Sequence, residues 1–211
     1  MKKFHNRVAI IGTVGVPGNY GGFETLADNL IDDSELCVFD VYCSYGNKYE
    51  QPKYKGAYLH YIPIKANGIQ SIFYDIFSII DALLKGYKNI LMLGISGALI
   101  LPFIKFLKIE CFIVCNIDGL EWKREKWNKY IKRILKFFEM ISVKYSDQII
   151  SDNYAIQDYV KKEYGKNSNF IAYGGDHVQI KDLPEEDSYA LALCRIEPEN
   201  NIEIILNAFR D

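Results

Sequence analysis

The chain has 211 residues, 49% of them apolar, and a formal net charge of −2. That length and composition suffice for one sizeable core and part of a second, and the near-neutral balance argues against a general nucleic-acid binder. The five cysteines, Cys37, Cys43, Cys111, Cys115 and Cys194, form no C-x-x-C pair, so buried free thiols in a reducing compartment are expected rather than disulfides or zinc.

The N-terminus, MKKFHNRVAI, has no long apolar segment. No signal peptide is therefore expected, and a cytoplasmic location is. Val8 to Ile11 is a short apolar run closed by Gly12, the pattern of a buried strand in a parallel sheet. A loop dense in glycine follows, with Gly12, Gly15, Gly18, Gly21 and Gly22 around Pro17. Then a helical pattern places Phe23, Leu26, Ala27 and Leu30 on one face and Glu24, Asp28 and Asn29 on the other. Strand, glycine loop and helix make the first unit of a Rossmann-like domain. The glycines let bare N–H groups approach a ligand, and the helix start offers more. The spacing Gly12-x-x-Gly15-x-x-Gly18 is not G-x-G-x-x-G, which speaks against nicotinamide. Asn19, Tyr20 and Glu24 add hydrogen-bonding groups suited to a sugar or phosphate. A simple long turn is the plainer alternative, and Glu24 could serve only the helix dipole.

Leu36 to Tyr42 reads as a second strand, ending near Ser44, and Gly46 to Lys55 as a surface loop. Ala57 to Ile62 is a third strand closed by Pro63. Ile72 to Leu84 reads as an amphipathic helix with Ile72, Ile76, Ile79, Ile80 and Leu83 inward and Tyr74, Asp75, Ser78 and Asp81 outward. Ile90 to Leu93 is a fourth strand, Gly94 to Gly97 a turn and Ala98 to Leu107 a short helix. The uncharged run Ile90 to Ile104 is broken by Gly94, Gly97 and Pro102, and it falls short of the roughly 20 residues a membrane span needs. Cys111 to Asn116, Asp147 to Ser151 and Phe170 to Ala172 complete the strands, with a helix over Tyr154 to Tyr164. This alternation predicts a doubly wound, parallel α/β sheet.

The segment NIDGLEWKREKW closes the fifth strand. Ligands of open α/β sheets sit outside the carboxyl ends of strands, which places Asp118, Gly119, Glu121 and Trp122 beside the glycine loop. Asp118 could instead cap the turn. From Trp127 a helix carries Trp127, Ile131, Ile134, Leu135, Phe138 and Ile141 on one face and Lys129, Lys132, Arg133 and Lys136 on the other. That basic face is either simply solvated or a peripheral contact with anionic lipid, worth about 1 kcal/mol per cation near the surface. His5, His60 and His177 are scattered without ligand spacing, so no metal site is expected.

GTVGVPGNYGGFETLADNL resembles the opening signature of the rhamnosyltransferase-like branch of bacterial glycosyltransferase family 4, and NIDGLEWKREKW resembles its second signature. SDQIISDNYAIQDYV, FIAYGGD and ALALCRIEPENNIEIILNAF are similar to its later strand and domain-opening regions. The resemblance implies a GT-B architecture of two Rossmann-like domains facing a cleft. On that basis residues 1–175 are the acceptor-side domain, 176–187 a linker, and 188–211 the opening strand (Tyr189 to Cys194) and helix (Asn201 to Phe209) of an incomplete donor domain. The implied reaction moves a hexose, rhamnose among the candidates, from a nucleotide sugar to a saccharide or lipid-linked acceptor in bacterial surface polysaccharide synthesis, with no cofactor and no obligatory metal. Asp118 would stand near the transferred sugar. Gly15, Asn19, Tyr20, Gly21, Gly22, Glu24, Gly119, Glu121 and Trp122 would face the acceptor. Arg195 would hold the donor diphosphate, or lie at the surface of a strand end. Where the family often has a Glu-Lys pair the chain reads Glu199-Asn200, which leaves one phosphate cation unaccounted for. With the donor domain incomplete, residues 1–211 alone are expected to be inactive. A nucleotide-binding oxidoreductase or epimerase and a non-catalytic binding module are the alternatives.

Overall fold

The computed structural model describes residues 7–18, 21–32, 37–46, 49–117, 119–175, 191–194, 196 and 200–210. The apolar runs become strands of one sheet: β1 (Arg7–Ile11), β2 (Val38–Ser44), β3 (Lys53–Tyr54), β4 (Ala57–Ile62), β5 (Asn89–Leu93), β6 (Phe112–Ile117), β7 (Gln148–Ser151) and β8 (Asn169–Phe170). Their order is β3-β4-β2-β1-β5-β6-β7-β8. All neighbours are parallel except β3 and β4. The chain first builds outward from β1 to β2 and β4, then restarts on the other side with β5. The switch between β1 and β5 is where an open α/β sheet leaves a crevice.

Helices cover both faces. Helix α1 (Gly22–Asp32) lies on one, where Ala27 and Ile31 pack with Ile10, Val41 and Leu59. Helices α2 (Gln70–Leu84), α3 (Leu101–Phe106), α4 (Lys129–Tyr145) and α5 (Tyr154–Tyr164) belong to the other, where Ile79, Ile104, Val143 and Val160 meet Ala9, Ile90, Ile113 and Ile149. Caps set the ends. Asn128 Oδ1 accepts from the backbone N–H groups of Tyr130 and Ile131, both at 3.0 Å, so α4 begins at Lys129 rather than at Trp127. Asn153 caps α5 in the same way, and left-handed Gly165 ends it.

Three expectations change. The tyrosine-rich stretch before Lys55 is not all loop, because Lys53 and Tyr54 pair antiparallel with β4. In α2 the inward face holds Tyr74, Asp75, Ser78, Ile79 and Ala82, so three residues expected in solvent are buried. The helix is turned so that Ser71 and Asp75 reach the cavity at the carboxyl edge of the sheet, while Ile76 and Ile80 are only half-buried. Residues 191–194 form no strand, and the rest of the expected strand and the linker lie outside the described residues. A lone strand with no pairing partner gains no ladder hydrogen bonds. The expected final helix is present as α6 (Ile202–Ala208).

A charged network ties three strands together. Asp40, fully buried in β2, accepts from Arg7 Nε of β1 at 2.7 Å and pairs with Arg7 Nη2, and it contacts His60 Nε2 of β4 at 2.8 Å. Burial alone would raise this carboxyl. The hydrogen bonds from His60 and Arg7 hold it below the usual carboxylate range. No helix among the described residues is long and apolar enough to cross a membrane.

Candidate functional site

The site grows from the ends of β1, β5 and β6. At the end of β1 the backbone turns through Gly12, whose φ is +102°. A methyl group there would lie 2.1 Å from the carbonyl oxygen of Leu93, the last residue of β5. Only glycine lets the two strand ends touch at the switch point. Gly12→Ala is therefore expected to cost roughly 2–3 kcal/mol through clash and strain, read by urea denaturation. Unchanged stability would show that the two strand ends tolerate a side chain where they cross.

The loop is then held by acids of α1. Glu24 Oε1 accepts from the Val14 N–H at 2.7 Å, and Asp28 Oδ2 accepts from the Gly18 N–H at 2.8 Å. Asp28 also pairs with Lys55 at 2.8 Å. Burial works to raise the Asp28 carboxyl, but Lys55 and the Gly18 N–H hold it below its usual value. Glu24, expected on the solvated face of the helix, is buried because the returning loop needs an acceptor.

A cavity of about 340 Å³ opens between these elements. Gly12, Val14, Gly21, Gly22 and Glu24 form one wall, and Gly94, Ile95 and Ser96 after β5 form the next. Gly119, Glu121 and Arg124 after β6 form another wall, and Asn67 with Ser71 and Asp75 of α2 add further polar groups. Volume and position match a small-ligand site at a topological switch point. The glycine loop and the segment after β6 do meet at the carboxyl edge, as expected from the strand-end rule.

The expected residues divide. Gly21, Gly22, Glu24, Gly119 and Glu121 line the cavity. Gly15 does not; it is buried in the loop with φ of +122° and shapes its turn. Trp122 does not line it either. Its indole Nε1 donates to buried Glu139 Oε2 at 3.1 Å, and Lys136 sits over its ring at 4.3 Å. Asp118, Asn19, Tyr20 and Arg195 lie outside the described residues. Asn67, Ser71, Asp75, Ser96 and Arg124 were not anticipated. The strand-end rule, applied to the Gly94–Gly97 turn as it was to the segment after β6, would have found Ser96.

The charge in the cavity is acidic. Glu121 accepts from Trp127 Nε1 at 2.9 Å and pairs with Lys126 at 2.9 Å and Arg124 at 3.3 Å. Burial raises its carboxyl, but Lys126 and Trp127 outweigh that and hold it low, so it stays ionised. Arg124, the cation in the lining, is thus already neutralised.

A second hollow of about 470 Å³ lies beside α4, lined by Trp122, Trp127, Lys129, Lys132, Arg133 and Lys136. Lys136 is committed to Glu163 at 2.6 Å and Tyr159 at 3.1 Å, so the basic face rests on Lys129, Lys132 and Arg133. Tyr130, Ile134 and Phe137 are exposed among them, so the face is not purely basic.

Comparison with known proteins agrees with this architecture. The model of a family described as "Domain of unknown function (DUF1972)" matches residues 5–176. No curated protein matches the sequence. Sucrose-phosphate synthase from Thermosynechococcus elongatus superposes with a TM-score of 0.62 at 11% identity, over 81% of this chain. The chain spans about half, 48%, of that protein's length. At that identity the likeness is one of fold.

Proposed function

Because the chain belongs to the DUF1972 family and shares its sheet architecture with a sugar-phosphate synthase, we propose that it is the acceptor-side domain of a GT-B glycosyltransferase. In this reading a hexose, rhamnose among the candidates, passes from a nucleotide sugar to a saccharide or lipid-linked acceptor in surface polysaccharide synthesis. The nucleotide sugar is a substrate, and no resident cofactor takes part. From the sequence resemblance alone, Asp118 would act close to the transferred sugar and Arg195 would hold the donor diphosphate; both lie outside the described residues.

The observation that carries the proposal is the cavity at the β1/β5 switch. Glu24, Asp75 and Glu121 line it, and Arg124 is paired with Glu121. Such a lining offers hydroxyl groups acceptors and donors, while Arg124, already paired with Glu121, leaves a diphosphate no uncommitted counter-charge in the described lining. The acceptor therefore belongs here and the donor elsewhere. Most of the rate of such an enzyme comes from holding both partners across a cleft. Cations Lys129, Lys132 and Arg133, with exposed Tyr130, Ile134 and Phe137, suit a peripheral contact with anionic lipid that would bring a lipid-linked acceptor near.

A product assay tests the reading, using a panel of nucleotide sugars and a lipid-linked saccharide. Transfer of a hexose to that acceptor is the expected product. Nucleotide-sugar binding that maps to the β1/β5 cavity would place the donor there and contradict the proposal.

A further inference from the structure

Asp75 is unusual among the cavity residues. It is 95% buried, being 5% exposed, on the inward face of α2, and it lines the cavity. Its Oδ1 has no hydrogen-bond partner. Buried polar atoms are nearly always paired, and an orphan needs an explanation. The packing around it is tight on the protein side. A methyl on Gly97 would come within 3.2 Å of Asp75 Cβ and 2.7 Å of Ile79 Cδ1, so the Gly97 backbone packs closely against the base of the Asp75 side chain.

We propose that Asp75 is the polar floor of the cavity, that it hydrogen-bonds a hydroxyl of an uncharged saccharide, and that it selects neutral over phosphorylated sugars. The assignment rests on the acceptor reading of the cavity. Its electrostatics agree. The charged groups that share the cavity are Glu24 of α1 and, after β6, Glu121 paired with Arg124. Tyr74 is the buried titratable neighbour on α2 itself. Nothing cationic offsets Asp75, and burial pushes its carboxyl well above the ordinary range. A neutral carboxylic acid both donates and accepts, which suits a sugar hydroxyl. A phosphate would meet the Glu24 carboxylate instead and find Arg124 already paired with Glu121.

The test uses residues 1–211, Asp75→Asn and Asp75→Leu, titrated with methyl glucoside, methyl rhamnoside, N-acetylglucosamine and glucose 6-phosphate by amide chemical-shift perturbation. The parent is expected to bind at least one neutral sugar at least tenfold tighter than glucose 6-phosphate. Asp75→Asn, still a donor and acceptor of the same shape, should keep that affinity within about threefold. Asp75→Leu should lose it at least tenfold while remaining folded. Equal binding by all three proteins would overturn the role of Asp75 and leave the acceptor site standing. No sugar binding by the parent would overturn both.

A ligand-free measurement runs beside it. A carboxyl raised in the folded state contributes its full stability below the unfolded value near 3.8 and loses it as pH rises toward the folded value. The melting temperature of the parent should therefore fall behind that of Asp75→Asn as pH rises above about 4. A gap independent of pH would mean a charged floor and would also overturn the proposal.

Discussion

Asp40→Ala is expected to destabilise the folded chain by about 3–5 kcal/mol, the range for removing one partner of a buried ion pair. Asp40 has no exposed surface. It joins β1 to β4 through Arg7 and His60, at the amino end of β1 and away from the Gly12 end that forms the cavity wall. Deleting the carboxylate strips the part-buried Arg7 guanidinium of its counter-charge, and the stacked rings of Tyr58 and Tyr87 replace little of that. The sign of the pH dependence follows from the depressed carboxyl. Its contribution is present above the unfolded carboxylate value and is lost as pH falls through the lower folded value. Urea denaturation should thus show the full gap at pH 7 and a closing gap below about pH 4. A gap that persists unchanged into acid would mean that the pair contributes by packing rather than by charge.

Glu139→Ala is the second large effect, at roughly 3–4 kcal/mol. The Glu139 carboxylate is 1% exposed. It accepts from Tyr159 Oη and Tyr164 Oη, both at 2.5 Å, and from Trp122 Nε1 at 3.1 Å. Burial and the Glu139 hydrogen bond push the Tyr164 phenol upward, so it remains a donor. Removing Glu139 leaves three donors facing a void. It also frees Trp122, which lies beside Glu121 in the short turn Glu121–Lys123. The loss should therefore appear twice, as lower stability in denaturation and as at least tenfold weaker saccharide binding. Glu139→Gln should cost much less, since the amide oxygen can still accept. Weakened stability with unchanged binding would show that the turn holds its shape without this anchor.

These two networks also mark where the sequence stopped being legible. The strands were readable because parallel strands buried on both faces are continuous apolar runs, as in Ala9 to Ile11 and Ile113 to Cys115. Helix α5 was readable to the residue because Asn153 and Gly165 cap it. The cavity walls followed from strand ends, a local rule. The orientation of α2 did not, because its isoleucines outnumber the polar residues that the cavity draws inward. Asp75 looked like a solvated charge in a heptad-like pattern and is instead the buried floor. Trp122 was expected to face the acceptor beside the glycine loop. Its real partner, Glu139, is 17 residues away on α4, and no spacing rule links an indole to a carboxylate across a turn and about three helical turns. The role of Asp40 was not legible, because its partners Arg7 and His60 lie 33 and 20 residues away in sequence.

The central claim is that the cavity at the β1/β5 switch receives a saccharide and not a nucleotide diphosphate. The most direct measurement is an amide chemical-shift titration of the 15N-labelled chain with neutral oligosaccharides and, separately, with nucleotide sugars. The account predicts saturable shifts at the N–H groups of Gly21, Gly22, Gly94 and Gly119, which line the cavity from three strand ends, on adding a saccharide. It predicts no saturable shift at those groups on adding the nucleotide diphosphate alone. Saturable shifts there with the diphosphate, or saccharide-induced shifts confined to other parts of the chain, would contradict it.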